Sequence, residues 1–229
     1  MKALEILNQE IIACAKCPRL VEYLAEVARV RRRAYRDWDY WAKPVPGFGD
    51  PRARVLLVGL APGAHGANRT GRPFTGDRSG EFLYRVMYDT GFASQPTSLS
   101  SDDGLKLFDC YIGAAVRCAP PGNKPLPQEI RNCRPYLERE LDSLTNLRVV
   151  VALGRLAFDA YLAILAGQGK IASRSAFTFA HNQEHHAGPG LPILISSYHP
   201  SQQNTSTGKL TEAMLRAVFL RARRHLERG

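Results

Sequence analysis

Four short apolar runs, set between longer stretches of helical periodicity, constrain this chain most. Val55–Gly59 (VLLVG) and Val149–Leu153 (VVVAL) are wholly apolar or glycine; residues 110–117 (CYIGAAVR) and Ile193–Ser197 (ILISS) are largely so. Runs of this length without polar alternation are the mark of strands buried on both faces. Helical patterns fill 79–90, 128–143, 154–166 and 209–227, and two more, 2–13 and 18–36, precede the first strand. Strands alternating with helices predict an α/β fold, a three-layer α/β/α sandwich around a central, mainly parallel four-stranded sheet. The 229 residues show no repeat, low-complexity tract or compositional break, so one domain over 1–229 is expected.

In such sheets the site lies beyond the carboxyl ends of the strands. The segments to inspect are therefore 60–80, 118–127, 154–155 and 198–208. The first begins GLAPGAHGANRTGRPFTGD from Gly59. It has neither the spacing of a P-loop nor that of a dinucleotide fingerprint, which removes the common phosphate-cofactor readings. Its glycines permit tight turns and close approach to a ligand. It presents His65, Asn68, Arg69, Arg72, Phe74 and Asp77. Phe74 is either a stacking platform for a base, worth roughly 1–3 kcal/mol, or a plug packing the loop onto the core. Asp77 precedes Ser79, the expected N-cap of the next helix, and is either a chemical group or a capping residue. The last segment, HPSQQNTSTGK from His199, offers uncharged hydrogen bonders suited to phosphates and groove edges.

Thirty-one Lys and Arg against 21 Asp and Glu leave a formal charge of +10 and a pI near 9.6, which favours a polyanionic partner. Arg31, Arg32, Arg33, Lys209, Arg221, Arg223 and Arg224 are candidates for phosphate contact, solvated helix faces being the alternative. His181, His185 and His186 have no metal-ligand spacing and read as surface. No targeting segment is visible and the apolar runs are too short to span a bilayer, so no membrane role and a cytoplasmic location are expected.

A reducing compartment argues against disulfides for the five cysteines. Cys14 and Cys17 form a C-x-x-C; Cys118 and Cys133 follow at a strand end and in a helix. A redox pair would open a helix after a strand, whereas this one closes the first helix. Four thiolates suit Zn²⁺ or an iron–sulfur cluster, and their spacing does not choose. Buried small side chains are the third possibility, and the natural one for Cys110. A zinc-bearing DNA-binding module would explain the charge and the cysteines but leave His199, Asp77 and Phe74 without a joint purpose. An iron–sulfur electron carrier would leave the polar loops unexplained.

Taken together, GLAPGAHGANRTGRPFTGD at 59–77, VRCAPPGNKPLPQE at 116–129, ALGRLAF at 152–158 and HPSQQNTSTGKLT at 199–211 resemble the uracil-DNA glycosylase superfamily, most closely its family 5 (type b), over nearly the whole chain. The resemblance implies a monofunctional glycosylase that flips a damaged base from double-stranded DNA and leaves an abasic site. It implies a [4Fe–4S] cluster on Cys14, Cys17, Cys118 and Cys133. Catalysis would fall to Asp77 and His199. Gly59, Ala61, Gly63, Ala64, Phe74 and Asn123 would border the base, and Ser201, Gln202, Gln203, Asn204 and Lys209 would meet the DNA. A monomer that hands its product to downstream base-excision enzymes is expected. Leu60 and Ala61 stand where many relatives carry an acidic residue or Asn, and Ala114 where the cluster-bearing sister family carries a uracil-reading Asn. Both departures imply a range extending to hypoxanthine and ethenocytosine.

Overall fold

In the computed structural model, which describes residues 2–227, the four apolar runs form the core strands of the sheet. The elements in chain order are α1 (Lys2–Ile12), α2 (Pro18–Val30), β1 (Phe48–Gly49), β2 (Val55–Gly59), α3 (Ala67–Thr70), α4 (Arg78–Asp89), β3 (Cys110–Ala114), α5 (Pro127–Ser143), β4 (Val149–Leu153), α6 (Arg155–Gly167), β5 (Gln183–His185), β6 (Ile193–Ser197), α7 (Gln202–Ser206) and α8 (Glu212–Glu227). The sheet runs β1-β3-β2-β4-β6-β5. Its four central strands are parallel and in register, Val55 opposite both Cys110 and Val149, and Val149 opposite Ile193.

The fold class is as the sequence predicts, but the sheet has six strands, not four. The additional β1 and β5 are antiparallel edges of two and three residues. They are too short to show a period, and each owes its existence to the strand beside it. Three element ends differ by more than one residue. The second helix stops at Val30 rather than 36, with Arg31 left-handed at φ 51°. Strand β3 ends at Ala114 rather than 117, and the last helix begins at Glu212 rather than 209.

Alternation along the strands divides the interior into two layers. Val55, Leu57, Val149, Val151 and Ile195 face α4 and α8. Leu56, Val58, Val150, Ala152 and Leu194 face α1, α5 and α6. Cys110 is fully buried in the first layer, as its strand position predicts. A third, smaller cluster joins Leu20 and Leu24 of α2 to Val116, Cys118, Ala119 and Cys133.

Between the second layer and this third cluster lies a fully buried ion pair. Arg117, just beyond β3, donates through Nη2 to Glu140 of α5 at 2.5 Å, and both side chains are shielded from water. Glu140 reaches the sheet because residues 47 and 113 are glycines; a Cβ on Gly113 would overlap its Oε2. Removing one member of such a pair strands a charge, at a cost of about 3–5 kcal/mol, whereas replacing both by apolar groups is often tolerated. Arg117→Met is therefore expected to lower the urea-unfolding free energy by about that amount, and Arg117→Met with Glu140→Met to recover most of it. Equal stability of the single and double variants would show that the pair does not brace the fold.

Candidate active site

The carboxyl ends of β2, β4 and β6 converge on Gly59, Gly154 and the 198–200 segment. The loop after β2 is pinned before it reaches them. Arg72 is buried and donates to Thr75 Oγ1 at 2.9 Å, Ser98 Oγ at 2.8 Å and Asp103 Oδ2 at 2.7 Å. Burial pushes the Asp103 carboxyl up, but hydrogen bonds from Arg72 and the N–H groups of Leu105 and Leu99 outweigh it and hold the group at about 2. The Tyr84 hydroxyl donates to the Pro73 carbonyl at 3.0 Å. So anchored, Phe74 adopts φ 50°, a conformation uncommon outside glycine. Its ring lies over Gly59, where even a methyl would come within 3.2 Å of two ring carbons. The same ring stands 5.8 Å from that of His199, tilted by 33°. The structure thus brings Gly59, Phe74 and His199 together, which their separation in sequence hides.

His199 sits at the end of β6 with its Cβ against Gly154. Its carbonyl accepts from Asn204 Nδ2 at 2.8 Å, closing the turn that leads into α7. Desolvation by burial pulls its imidazole down to about 4, so the ring is neutral near pH 7. Asp77 is itself the N-cap of α4, accepting from the Gly80 N–H at 3.0 Å; the expected cap, Ser79, lies inside the helix. Its other oxygen rests against the loop glycines, about where a Cβ on Gly66 would sit and 3.0 Å from one on Gly63. Burial raises the carboxyl above the ordinary aspartate value, opposed by the N–H groups of Gly80 and Ser79.

The remaining sequence candidates divide. Ala61 and Ala64 pack on the third apolar cluster beside Cys118 and Cys133, linking the loop to the cysteine region. Asn123 is exposed in the 121–123 turn at φ 58°. Ser201 caps α7, accepting from the Asn204 N–H, so Ser201 and Asn204 spend hydrogen bonds within the turn. Gln202 and Gln203 are exposed, and Lys209 extends its ammonium over Tyr198 at 5.1 Å. Of the residues the first loop was expected to present, Asn68, Arg69 and Arg72 are instead buried within it. Nor is the histidine group all surface. His185 is buried in β5, and His181 stacks on Tyr198 at 5.0 Å while accepting its N–H. Arg223 donates to the Thr90 carbonyl and covers Phe92, so it is a structural cation.

Cys14, Cys17, Cys118 and Cys133 line one pocket with Lys16, Val21, Pro44, Arg117 and Asn132. Asn132 Nδ2 lies 3.4 Å from Cys17 Sγ. Burial raises the Cys118 thiol, and the other three sulfurs raise it further; Cys133 is pushed up to about 11 by burial. Among the described residues no three His, Cys, Asp or Glu side chains gather closely enough to hold a single metal ion.

Comparison with known proteins gives a consistent answer. Residues 46–223 match the sequence pattern of the family described as "Uracil DNA glycosylase superfamily". The Type-5 uracil-DNA glycosylase of Thermus thermophilus is 53% identical over 220 residues, covering 96% of this chain and 97% of that protein. The enzyme of the same name from Mycobacterium tuberculosis is 46% identical over 95% of this chain and 80% of its own length. That from Pyrobaculum aerophilum is 45% identical over 93% and 88%.

The burial of His199 is directly measurable. In an NMR titration its imidazole should stay neutral from pH 8 to 5 and protonate near pH 4, well below the ordinary value of 6.5; a midpoint near 6.5 would contradict the enclosure described. As pH falls below 6.5 the unfolded chain takes up a proton that the folded chain refuses until about 4, so stability declines through that window and His199→Ala should decline less.

Proposed function

The chain belongs to the uracil DNA glycosylase superfamily and is accordingly a hydrolase of N-glycosidic bonds; on that premise we propose that it flips uracil out of double-stranded DNA and cleaves it from the sugar at the Gly59–Phe74–His199 pocket. Flipping is required because the glycosidic bond is out of reach inside the stack. The observation that carries the assignment is the 5.8 Å juxtaposition of Phe74 and His199 over a strand-end glycine. It supplies an aromatic face for the base and a hydrogen-bond donor at its edge.

The reading divides the chemistry between charges that develop as the bond breaks. The departing base gains negative charge, and a neutral His199 N–H donates to its O2. A neutral imidazole suits this, since it stabilises the anion without requiring a buried cation beforehand. The sugar gains positive charge, and the Asp77 carboxylate either stabilises it or orients the attacking water. Phe74 stacks on the base, the backbone of Gly59, Ala61, Gly63 and Ala64 walls the pocket, and Asn123 reaches the base edge. The segment with Ser201, Gln202, Gln203, Asn204 and Lys209 meets the DNA and fills the vacated stack. The enzyme works as a cytoplasmic monomer that passes abasic sites to later repair enzymes.

Leu60, Ala61 and Ala114 offer the base no carboxylate and no side-chain amide. A pocket without such a group cannot reject bases by leaving it unpaired, which supports removal of hypoxanthine and ethenocytosine as well as uracil. The four-cysteine pocket supports a [4Fe–4S] cluster. Bound there, the cluster would act as a structural brace between the N-terminal helices and the 118–133 segment, remote from bond cleavage.

His199→Ala should slow single-turnover release of uracil by roughly 10²–10³-fold with duplex affinity little changed, and Asp77→Asn should slow it too; wild-type rates would remove either residue from the mechanism. Parallel assays on uracil, hypoxanthine and ethenocytosine duplexes test breadth, which cleavage confined to uracil would sink. Protein purified without air should contain iron and acid-labile sulfide, and zinc in their place would overturn the cluster.

A further inference from the structure

The residues between α2 and β1 carry both of the chain's tryptophans, Trp38 and Trp41, with Tyr35 and Tyr40. None of these enters the chemistry above, yet all converge on the loop that does. Arg69, on α3 within that loop, is 4% exposed. Its guanidinium lies between two rings, 4.0 Å from the centroid of Tyr35 and 4.1 Å from that of Trp38. In its plane it donates from Nε to the His65 carbonyl at 2.9 Å and from Nη2 to the Gly76 carbonyl at 2.7 Å. It makes no carboxylate ion pair among the described residues, and its Nη1 is buried without a hydrogen-bond partner. The backbone closes the cage, the Trp41 N–H donating to the Arg69 carbonyl at 2.9 Å and the Ala42 N–H to that of Asn68 at 3.0 Å. Tyr40 hydrogen-bonds His65 Nδ1 at 2.9 Å.

One planar cation therefore ties residue 65 to residue 76, the two shoulders of the loop whose glycines receive Asp77. We propose that Arg69, held between Tyr35 and Trp38, is a positioning residue that fixes where the Asp77 carboxylate stands for the hydrolytic step. The inference rests on the reading of Asp77 as a participant in that step. An uncompensated buried cation is costly. Here two aromatic faces and two carbonyls hold it, an arrangement that lysine cannot reproduce because it lacks the planar fork. The charged groups that face Asp77 are Arg69 and Glu81, with the N–H groups of Gly80 and Ser79. Of the two side chains, only Arg69 favours the ionised form.

Single-turnover rates on a uracil duplex, taken across pH for Arg69→Gln, Trp38→Ala, Trp38→Phe, Asp77→Asn and Arg69→Gln with Asp77→Asn, test the proposal. Arg69→Gln should lose about 10–100-fold at the plateau and move its acid limb to higher pH, with affinity for the uncleaved duplex kept. Trp38→Ala should shift the same way more weakly, and Trp38→Phe, which restores a ring, should not. The double variant should be no slower than Asp77→Asn alone, because the two residues act through one group. An Arg69→Gln plateau within twofold of wild type with an unmoved acid limb overturns the proposal, while a fully active Asp77→Asn instead overturns the role of Asp77 itself. Should Arg69→Gln not fold, Trp38→Ala decides, since its ring is partly exposed and an unmoved limb there overturns the proposal equally. Additive losses in the double variant would likewise reject the coupling.

Discussion

A charge pair sealed from water at the end of β3 fixes the relation between the sheet and the segments around it. Arg117 lies three residues past the end of the strand and precedes Cys118; Glu140 lies two helical turns beyond Cys133 on α5. Neither partner can move without exposing the other to a medium that does not solvate it. The two buried cysteines are thereby held at a set distance from the sheet whether or not anything binds them. The glycines at 47 and 113 are part of the same constraint, since any side chain there would expel the carboxylate. Downstream of this fixed corner, Gly59 pairs in register with Ala114, so the floor beneath Phe74 inherits its position from the same pair.

The pocket above that floor works by withholding water from groups of opposite type. Burial disfavours charge on both His199 and Asp77, pulling the imidazole down and the carboxyl up. The two consequences differ. The histidine is left uncharged and able to donate, whereas the pull on the aspartate toward its neutral form is opposed by the N–H groups at the start of α4 and by the nearby Arg69. A loop rich in glycine would be too soft to hold such a carboxylate unaided. Its stiffness comes from two buried arginines, Arg72 fastened to Asp103 and Ser98, and Arg69 fastened to the loop's own carbonyls.

The central strands were legible because strands covered on both faces must be apolar at every position, and no helix of useful length can be built from five such residues. Three of the four agree with the structure at both ends. The edge strands were not legible, as their pairing is decided by a neighbour and not by their own two or three residues. Phe74, Asp77 and His199 stand out as candidates by position alone, at strand ends in glycine- and proline-rich loops, and the structure places Phe74 and His199 side by side. Arg69 and Arg72 were misplaced for a plain reason: an arginine in a polar loop is normally solvated. Only the fold reveals that aromatic rings from residues 35 and 38 and a carboxylate from residue 103 enclose them. The aromatic density of 35–41 was the available signal. His185 escaped in the same way, since burial under Phe158 and Phe177 is invisible in a histidine-rich stretch.

The pairing of α1 and α2 with α5 has a consequence for the order in which the molecule can be made. Glu10 meets Arg139, Arg19 forks onto Glu129, and Asn132 touches Cys17, so every polar tie of the first two helices to α5 waits on residues made more than a hundred positions later. As the chain emerges from the ribosome, Leu4, Leu7 and Ile11 of α1 wait for Tyr136 and Leu137 of α5 to complete their cover, and Leu20 and Leu24 of α2 wait for Val116, Cys118, Ala119 and Cys133. Contacts so distant in sequence close slowly. Cys14 and Cys17 are thus synthesised more than a hundred residues before Cys118 and Cys133, and the nascent chain is exposed to misassociation during that interval.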